Sequence, residues 1–248
     1  MPGEGMGSGP GWWLTVCPAA GEAGGSFRYS LPKPYVPRQG PASDPDRAKA
    51  EAARRARGQV RKYCAGNRLN KLGTLTYEGE GCHDPRVFRA DVARFFRKLR
   101  ARLGGQAIPY LWVPEWHPKG HGLHAHFAVA RYIHKSHIRS AWGHGFIHIK
   151  LLGDLRAGSG VLDEARHAAG YLGKYVSKTF DAAHTDGLHR YEVAQGFHPL
   201  KERIYGRSRE EVLDLASQRF GCLPERVWTS EQVPDWKAPP AVWAQWPG

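Results

Sequence analysis

Residues 109–130 read PYLWVPEWHPKGHGLHAHFAVA, and this stretch predicts a β-hairpin at the centre of the fold. In its second half, LHAHFAV, apolar and polar residues alternate with the period of a strand, and PKGHG before it is typical of a tight turn. Because successive side chains of a strand point to opposite faces, His124 and His126 share one face. Leu123 and Phe127 then face a hydrophobic core.

The same hairpin predicts a divalent-metal site. If the turn lies near Gly120, Glu115 falls opposite His124 on the neighbouring strand. Two imidazoles at i and i+2, from His124 and His126, together with a carboxylate oxygen form a ligand set that suits Mg²⁺ or Mn²⁺. His117 is the alternative third ligand.

Strand and helix periodicities continue on both sides of the hairpin. The sequence predicts strands at 72–78 and 144–152 and helices at 85–105, 134–143, 162–179 and 208–221. This order predicts an α+β fold with a central antiparallel sheet of the ferredoxin-like or split βαβ type. Helices would cover one face, and the other face, with the histidines, would be open for a site.

Length and composition indicate one main domain with extensions at both ends. At 248 residues the chain can bury one core of ordinary size. We expect a flexible arm rich in Gly and Pro at 1–45 and a catalytic domain at 46–180 with its core at 72–180. A C-terminal extension at 181–248 is expected to pack on that core and to end in a surface tail rich in Pro and Trp.

The chain is strongly basic. It holds 36 Lys and Arg against 23 Asp and Glu, a net charge of +13 that favours a polyanionic partner, foremost nucleic acid. A basic helix is predicted from about Ser43, and five of its residues are expected to bind phosphates: Arg54, Arg55, Arg57, Arg61 and Lys62. The alternative for this helix is a solvated charged face.

The cysteines and the apolar runs indicate the cellular compartment in which the protein is expected. The four cysteines are scattered without a CxxC pair, which favours neither a zinc ribbon nor a disulfide framework and fits a reducing cytoplasm. No stretch approaches the about 20 apolar residues that span a bilayer, and the early apolar run at 12–20 lacks the features of a signal peptide. We therefore expect a cytoplasmic protein without a membrane partner.

A second candidate segment, GYLGKYVSK at 170–178, lies in a predicted helix. Tyr171 and Tyr175 are one turn apart on one face, and Lys174 and Lys178 each follow a tyrosine by three residues. A nearby ammonium or metal favours the phenolate and also binds a phosphate, so the segment predicts phosphodiester transfer through a covalent tyrosine. The alternative is a packing stripe with the lysine chains extending past it.

Together these residues resemble the HUH endonucleases, in particular the two-tyrosine rolling-circle replication initiators of small phages and plasmids. The resemblance covers roughly 72–180. GTLTY at 73–77 is similar to the first family motif, His124-Ala125-His126 to the second and YLGKYVSK to the third.

The resemblance implies an HUH fold and the family's chemistry. Tyr171 or Tyr175 would attack a DNA phosphate, leaving a 5′-phosphotyrosine and a free 3′-OH, and the other tyrosine would act in rejoining. Lys174 and Lys178 would hold the phosphate. The first motif would place two threonines beside the DNA: Thr74 and Thr76.

The expected substrate is single-stranded or hairpin origin DNA. The chain has no GxxxxGK[ST] motif, so a separate host helicase is expected, together with a host polymerase. Two-tyrosine transposases and relaxases share the same chemistry. From other classes, the alternatives are a non-catalytic RRM-like nucleic-acid-binding module and a hydrolase that activates water with a metal at His124 and His126.

Overall fold

The computed structural model describes residues 9–30, 44–153, 155, 158–181 and 188–247. Within them the chain forms two antiparallel five-stranded sheets and five α-helices, so the α+β prediction is confirmed. They divide into two compact units, one within residues 42–198 and one that joins residues up to 41 with those from 199 onward. Parts of the predicted arm, 1–8 and 31–43, and residues 182–187 of the predicted C-terminal extension lie outside the described residues.

The regular elements follow one another along the chain. The strands are β1 Gly11–Cys17, β2 Glu22–Arg28, β3 Lys71–Tyr77, β4 Tyr110–Trp116, β5 Leu123–Val129, β6 Gly145–Lys150, β7 Glu192–Val193, β8 Glu202–Gly206, β9 Arg226–Thr229 and β10 Ala241–Gln245. The helices are α1 Pro45–Gly66, α2 Pro85–Arg102, α3 Lys135–Trp142, α4 Val161–Asp181 and α5 Arg209–Phe220. Among these described helices, none has the length and hydrophobicity needed to cross a bilayer.

Side-chain caps fix where two of the helices begin. The Asp44 carboxylate accepts the backbone N–H of Arg47 at 3.0 Å, and Pro45 occupies the first turn of α1. In the same way Asp84 accepts two backbone N–H groups at the start of α2. Both caps satisfy donors that a helix leaves unpaired, and a proline in the first turn costs nothing there.

The sheet of the 42–198 unit has the strand order β6-β3-β5-β4-β7, with every neighbouring pair antiparallel. In the central hairpin Glu115 lies directly opposite His124, as the turn position predicted. The turn is closed by the His117 backbone N–H, which donates to the Gly122 carbonyl at 2.9 Å. Gly120 and Gly122 have φ of 79° and 75°, which a residue with a side chain adopts only with strain.

Helices lie on both faces of this sheet. Apolar side chains of one face, among them Leu75 and Phe127, pack in one core with α2 and α3. On the other face, Leu72 and Val113 pack in a second core with α1 and α4. The face of the histidines is therefore partly covered, whereas the sequence analysis expected it to be open.

Helix α4 packs closely on α1 on the histidine face. The Arg57 guanidinium of α1 donates to the Ser177 hydroxyl at 2.9 Å, and Gly173 is buried beside the same arginine. A Cβ on Gly173 would meet the Arg57 side chain at 3.8 Å, an ordinary contact distance, so this glycine lies at the contact of α4 with α1. Because α1 supports it from one side, α4 holds a fixed position across the strands.

The second unit contains a sheet with the order β8-β1-β2-β10-β9. The expectation of a flexible arm is wrong for residues 11–28, which form β1 and β2. Glycines that suggested a loop are needed for strand pairing: a Cβ on Gly25 would clash with the carbonyl oxygen of Trp13. The other partner of β1 is β8, close to the far end of the chain, where Trp13 pairs with Tyr205.

The C-terminal residues complete the second sheet. The expectation of a surface tail is wrong for Ala241–Gln245, because β10 lies between β2 and β9 and the following Trp246 is fully buried. Leu14 and Val16 of β1 share a core with Val212 of α5. The first part of the predicted 181–248 extension joins the 42–198 unit, where β7 pairs with β4. Packing of residues from 199 onward on that domain stays a prediction.

Candidate active site

Helix α4 places the two tyrosines over the strand that carries the histidines. The ring of Tyr175 stacks on the imidazole of His126, with centroids 3.6 Å apart and 21° between the planes. Tyr171 meets the same imidazole edge-on at 6.3 Å. The two phenol oxygens are 2.7 Å apart and share a hydrogen bond. The sheet and the helix thus bring a paired phenol onto an imidazole.

Glu115 joins the hairpin to α4. Its Oε2 lies 2.7 Å from Nε2 of His126, and its Oε1 accepts a hydrogen bond of 2.7 Å from the Lys178 ammonium. Burial alone would raise the pKa of Glu115, but the hydrogen bonds with His126 and Lys178 outweigh it and lower the pKa below the ordinary value. The carboxylate is therefore ionised at neutral pH. Lys178 also lies 4.9 Å from the ring centre of Tyr175.

Two threonines of β3 hold the imidazoles from the opposite side. The Thr74 hydroxyl is 3.0 Å from Nδ1 of His126, directly opposite it in the β3–β5 pairing, and the Thr76 hydroxyl is 3.2 Å from Nδ1 of His124. Such partners fix the rotation of an imidazole and the role of its other nitrogen. The sequence analysis assigned both threonines to DNA, and that contact stays a prediction.

His124 is the second imidazole of the strand and is 8% exposed. Its ring stacks on His117 with centroids 4.7 Å apart, and its Nε2 is buried without a hydrogen-bond partner. Burial lowers the pKa of His124 to about 4, and the neighbouring imidazoles of His117 and His126 add to the shift. At neutral pH the imidazole is therefore uncharged, and in the tautomer with its proton on Nδ1 the unpartnered Nε2 can donate a lone pair to a ligand.

Lys150 of β6 is a site residue that the sequence analysis missed. Its ammonium lies 4.8 Å from the ring centre of Tyr171. The sequence analysis predicted Lys174 beside this tyrosine, but Lys174 is exposed on α4. Burial and the hydrogen bond with Tyr175 raise the pKa of Tyr171 to about 12, although Lys150 opposes the shift. The alternation in GFIHIK could have indicated Lys150, but only together with the pairing of β6 and β3.

The predicted phosphate-binding residues of α1 are spread along the helix. Arg54 and Arg55 are exposed, and Arg55 forms an ion pair with Glu51 at 3.6 Å. Arg61 and Lys62 are half-buried. Their contact with DNA stays a prediction.

The donor atoms around His124 bear on the predicted metal. Among the side chains that the structure describes, no three or more His, Cys, Asp or Glu residues form a cluster arranged for a metal ion. The donor types suit one, because Nε2 of His124 has no protein partner and Glu115 supplies a carboxylate, whereas Nε2 of His126 now bonds to that carboxylate and would have to release its proton to bind a metal. Binding of Mg²⁺ or Mn²⁺ by these three residues stays a prediction.

Comparison with known proteins relates this site to DNA replication. Residues 70–180 match the model of the family described as replication-associated protein ORF2/G2P. That span covers the unit from the start of β3 almost to the end of α4, with the hairpin, the tyrosines and Lys150. Neither a curated protein nor a solved structure matches the chain. In this span the protein is similar to replication-associated proteins, as the resemblance from sequence motifs implied.

Proposed function

We propose that this protein initiates rolling-circle replication by nicking and rejoining single-stranded origin DNA through a covalent tyrosine. The observation that carries the proposal is the stacking of Tyr175 on His126, with its hydroxyl 2.7 Å from that of Tyr171. A packing stripe has no need for two phenols that hydrogen-bond to each other over a row of imidazoles. The match of residues 70–180 to a replication-associated family supports the same reading.

The proposed step is an in-line transesterification. The phenol oxygen of Tyr175 attacks the phosphorus of a DNA phosphodiester, the P–O3′ bond breaks, and the phenol proton is given up as the departing 3′-oxygen takes one. The products are a 5′-phosphotyrosine and a free 3′-OH that primes synthesis. Because one phosphodiester is exchanged for another, attack by a 3′-OH reverses the step and rejoins the strand.

The surrounding side chains differ in their roles. Burial and the hydrogen bond with Tyr175 raise the pKa of Tyr171 to about 12, which disfavours its phenolate, so it suits the role of hydrogen-bond partner to the attacking oxygen in the first step. It would be the nucleophile of the second transfer. Lys178 and Lys150 lie over the two rings and supply positive charge for the phosphate.

The proposed reaction also uses a divalent metal. His124, His126 and Glu115 would hold Mg²⁺ or Mn²⁺, which when bound polarises the phosphoryl oxygens. The chain's own contribution is to keep the imidazoles oriented through Thr74 and Thr76. Unwinding and synthesis belong to separate host proteins, a helicase and a polymerase.

The test uses a randomised single-stranded DNA library incubated with the protein and Mn²⁺. In one sample the label is on the 3′ end, and in the other it is on the 5′ end. The proposal predicts that only the 3′ label migrates with the denatured protein, because a 5′-phosphotyrosine retains the downstream fragment. The double variant Tyr171→Phe/Tyr175→Phe and a chelator should each abolish the adduct. Attachment of the 5′ label, or an unchanged adduct in the double variant, would contradict it.

A further inference from the structure

Strand β6 forms the edge of the sheet beside the site. It pairs with β3 so that Lys150 lies opposite Leu72, His148 opposite Thr74 and Phe146 opposite Thr76. Side chains opposite one another in a sheet share a face, so three β6 residues stand on the face of the histidines: Phe146, His148 and Lys150. This row, called the β6 row below, runs one strand away from the two threonines that hold the imidazoles.

Two of the three residues of the β6 row are exposed where a packed strand would be buried, and Lys150 is half-buried. Phe146 is 66% exposed, whereas its neighbour Ile147, on the opposite face, is 9% exposed and belongs to the core with α2 and α3. His148 is also exposed. An aromatic ring left this open contributes little to folding, and open rings beside cations are typical of surfaces that bind single-stranded nucleic acid.

The spacing and charge of the β6 row fit one occupant. Alternate residues of a strand are about 7 Å apart, a distance that an extended single strand spans from one nucleotide to the next. One end of the row is Lys150, whose ammonium lies 4.8 Å from the ring centre of Tyr171. A strand whose phosphate reaches the phenols would therefore continue over His148 and Phe146.

We infer that the β6 row binds the single-stranded DNA that flanks the scissile phosphate, with a base stacked on Phe146 and a backbone phosphate bound by Lys150. The inference rests on the proposed function for the identity of the strand. It adds a path for the DNA, which runs from the phenols along the edge strand β6. Stacking on a ring is tolerant of sequence, so the row supplies affinity for unpaired bases.

The experiment measures binding of fluorescent oligo(dT) by anisotropy, with chelator present so that no cleavage occurs. Phe146→Ala should weaken binding about fivefold or more, because stacking on an aromatic ring is lost. Phe146→Trp should keep the affinity. Ile149→Ala, on the same strand but facing the other way, is the matched control and should bind as the unmodified protein does. Unchanged melting temperatures would show that all variants are folded.

The outcomes separate this inference from the proposed function. Equal affinity of Phe146→Ala and the unmodified protein overturns the inference, even if the protein forms its covalent adduct. An equal loss of affinity for double-stranded DNA also overturns it, since paired bases cannot stack on the ring. If Phe146→Ala loses affinity for oligo(dT) alone but the unmodified protein forms no adduct, the β6 row is supported and the proposed nicking is wrong.

Discussion

Lys178 donates a hydrogen bond of 2.7 Å to Glu115, a residue 63 positions earlier in the chain. The contact ties the end of the tyrosine helix to the hairpin that carries the histidines. Because the same carboxylate also bonds to His126, one side chain links an imidazole of the sheet to an ammonium of the helix. The position of the phenols over the strand therefore depends on a chain of polar contacts and not on apolar packing alone.

Replacement of the two lysines of α4 should have unequal effects. Lys178→Ala removes a charge that contacts both Glu115 and the ring of Tyr175, so adduct formation should fall by at least about tenfold. Lys174→Ala, a matched control on the same helix, should change the rate little because this lysine is exposed. Lys178 is itself mostly exposed, so the melting temperature should move little in either variant. Equal rates for the two variants would contradict the assignment.

The Thr74 hydroxyl should affect activity by orienting the imidazole of His126. Thr74→Val keeps the shape and the β-branched backbone preference but removes the contact with Nδ1 of His126, so activity should fall about tenfold to a hundredfold. Thr74→Ser keeps the hydroxyl and should restore most of the activity. Single-turnover adduct formation is the measurement. A Val variant as active as the Ser variant would show that the hydroxyl has no part in positioning.

Metal binding should depend on His124. Mn²⁺ affinity is measured by titration followed by electron paramagnetic resonance. Loss of a hydrogen-bond partner that orients a metal ligand weakens metal binding by roughly tenfold or more. Because His124 is a proposed ligand itself, His124→Ala should weaken Mn²⁺ binding by more than about tenfold. His137→Ala, at an exposed position of α3, should bind Mn²⁺ as the unmodified protein does. Folding should be retained in both variants. A collapse of the melting temperature in His124→Ala would instead assign this histidine a structural role.

Stability should fall in weak acid because of the same histidine. The pKa of His124 is about 4 in the folded chain and 6.5 for an ordinary histidine, so between these values the unfolded chain binds a proton that the folded chain does not. The free energy of unfolding should therefore decrease as the pH falls from 6.5 towards 4, by on the order of 3 kcal/mol at most. His124→Gln should flatten this dependence in urea unfolding experiments. Parallel curves for the two proteins would contradict the shifted pKa.

Local patterns were sufficient to predict the centre of the site. The alternation in LHAHFAV and the turn near Gly120 fixed which strand faces carry His124 and Glu115, and the structure has the predicted register. The spacing of Tyr171 and Tyr175 placed both phenols on one helix face. Each of these inferences needs only the period of a strand or a helix, or the length of a turn.

Features that depend on distant pairing could not be predicted. Lys150 reaches Tyr171 because β6 is the neighbour of β3, and strand order is not encoded in local periodicity. The strands of residues 11–28 find their partners near the C-terminus, and Gly25, which suggested a loop, is required by close strand approach. Packing of α1 against α4 likewise joins residues far apart in the sequence, among them Val60 and Leu172 in the core and Arg57 and Ser177 in a hydrogen bond.

The most direct test of the central claim is to locate the covalent bond by mass spectrometry. After reaction with single-stranded DNA and nuclease digestion, trypsin should cleave at Arg166, Lys174 and Lys178, so that the two tyrosines fall on separate peptides, HAAGYLGK and YVSK. The account predicts a nucleotide mass on the YVSK peptide, which contains Tyr175. A nucleotide attached only to HAAGYLGK would contradict the assignment of Tyr175 as the first nucleophile. A nucleotide attached outside both peptides, or no attachment at all with Mn²⁺ present, would contradict the covalent tyrosine itself.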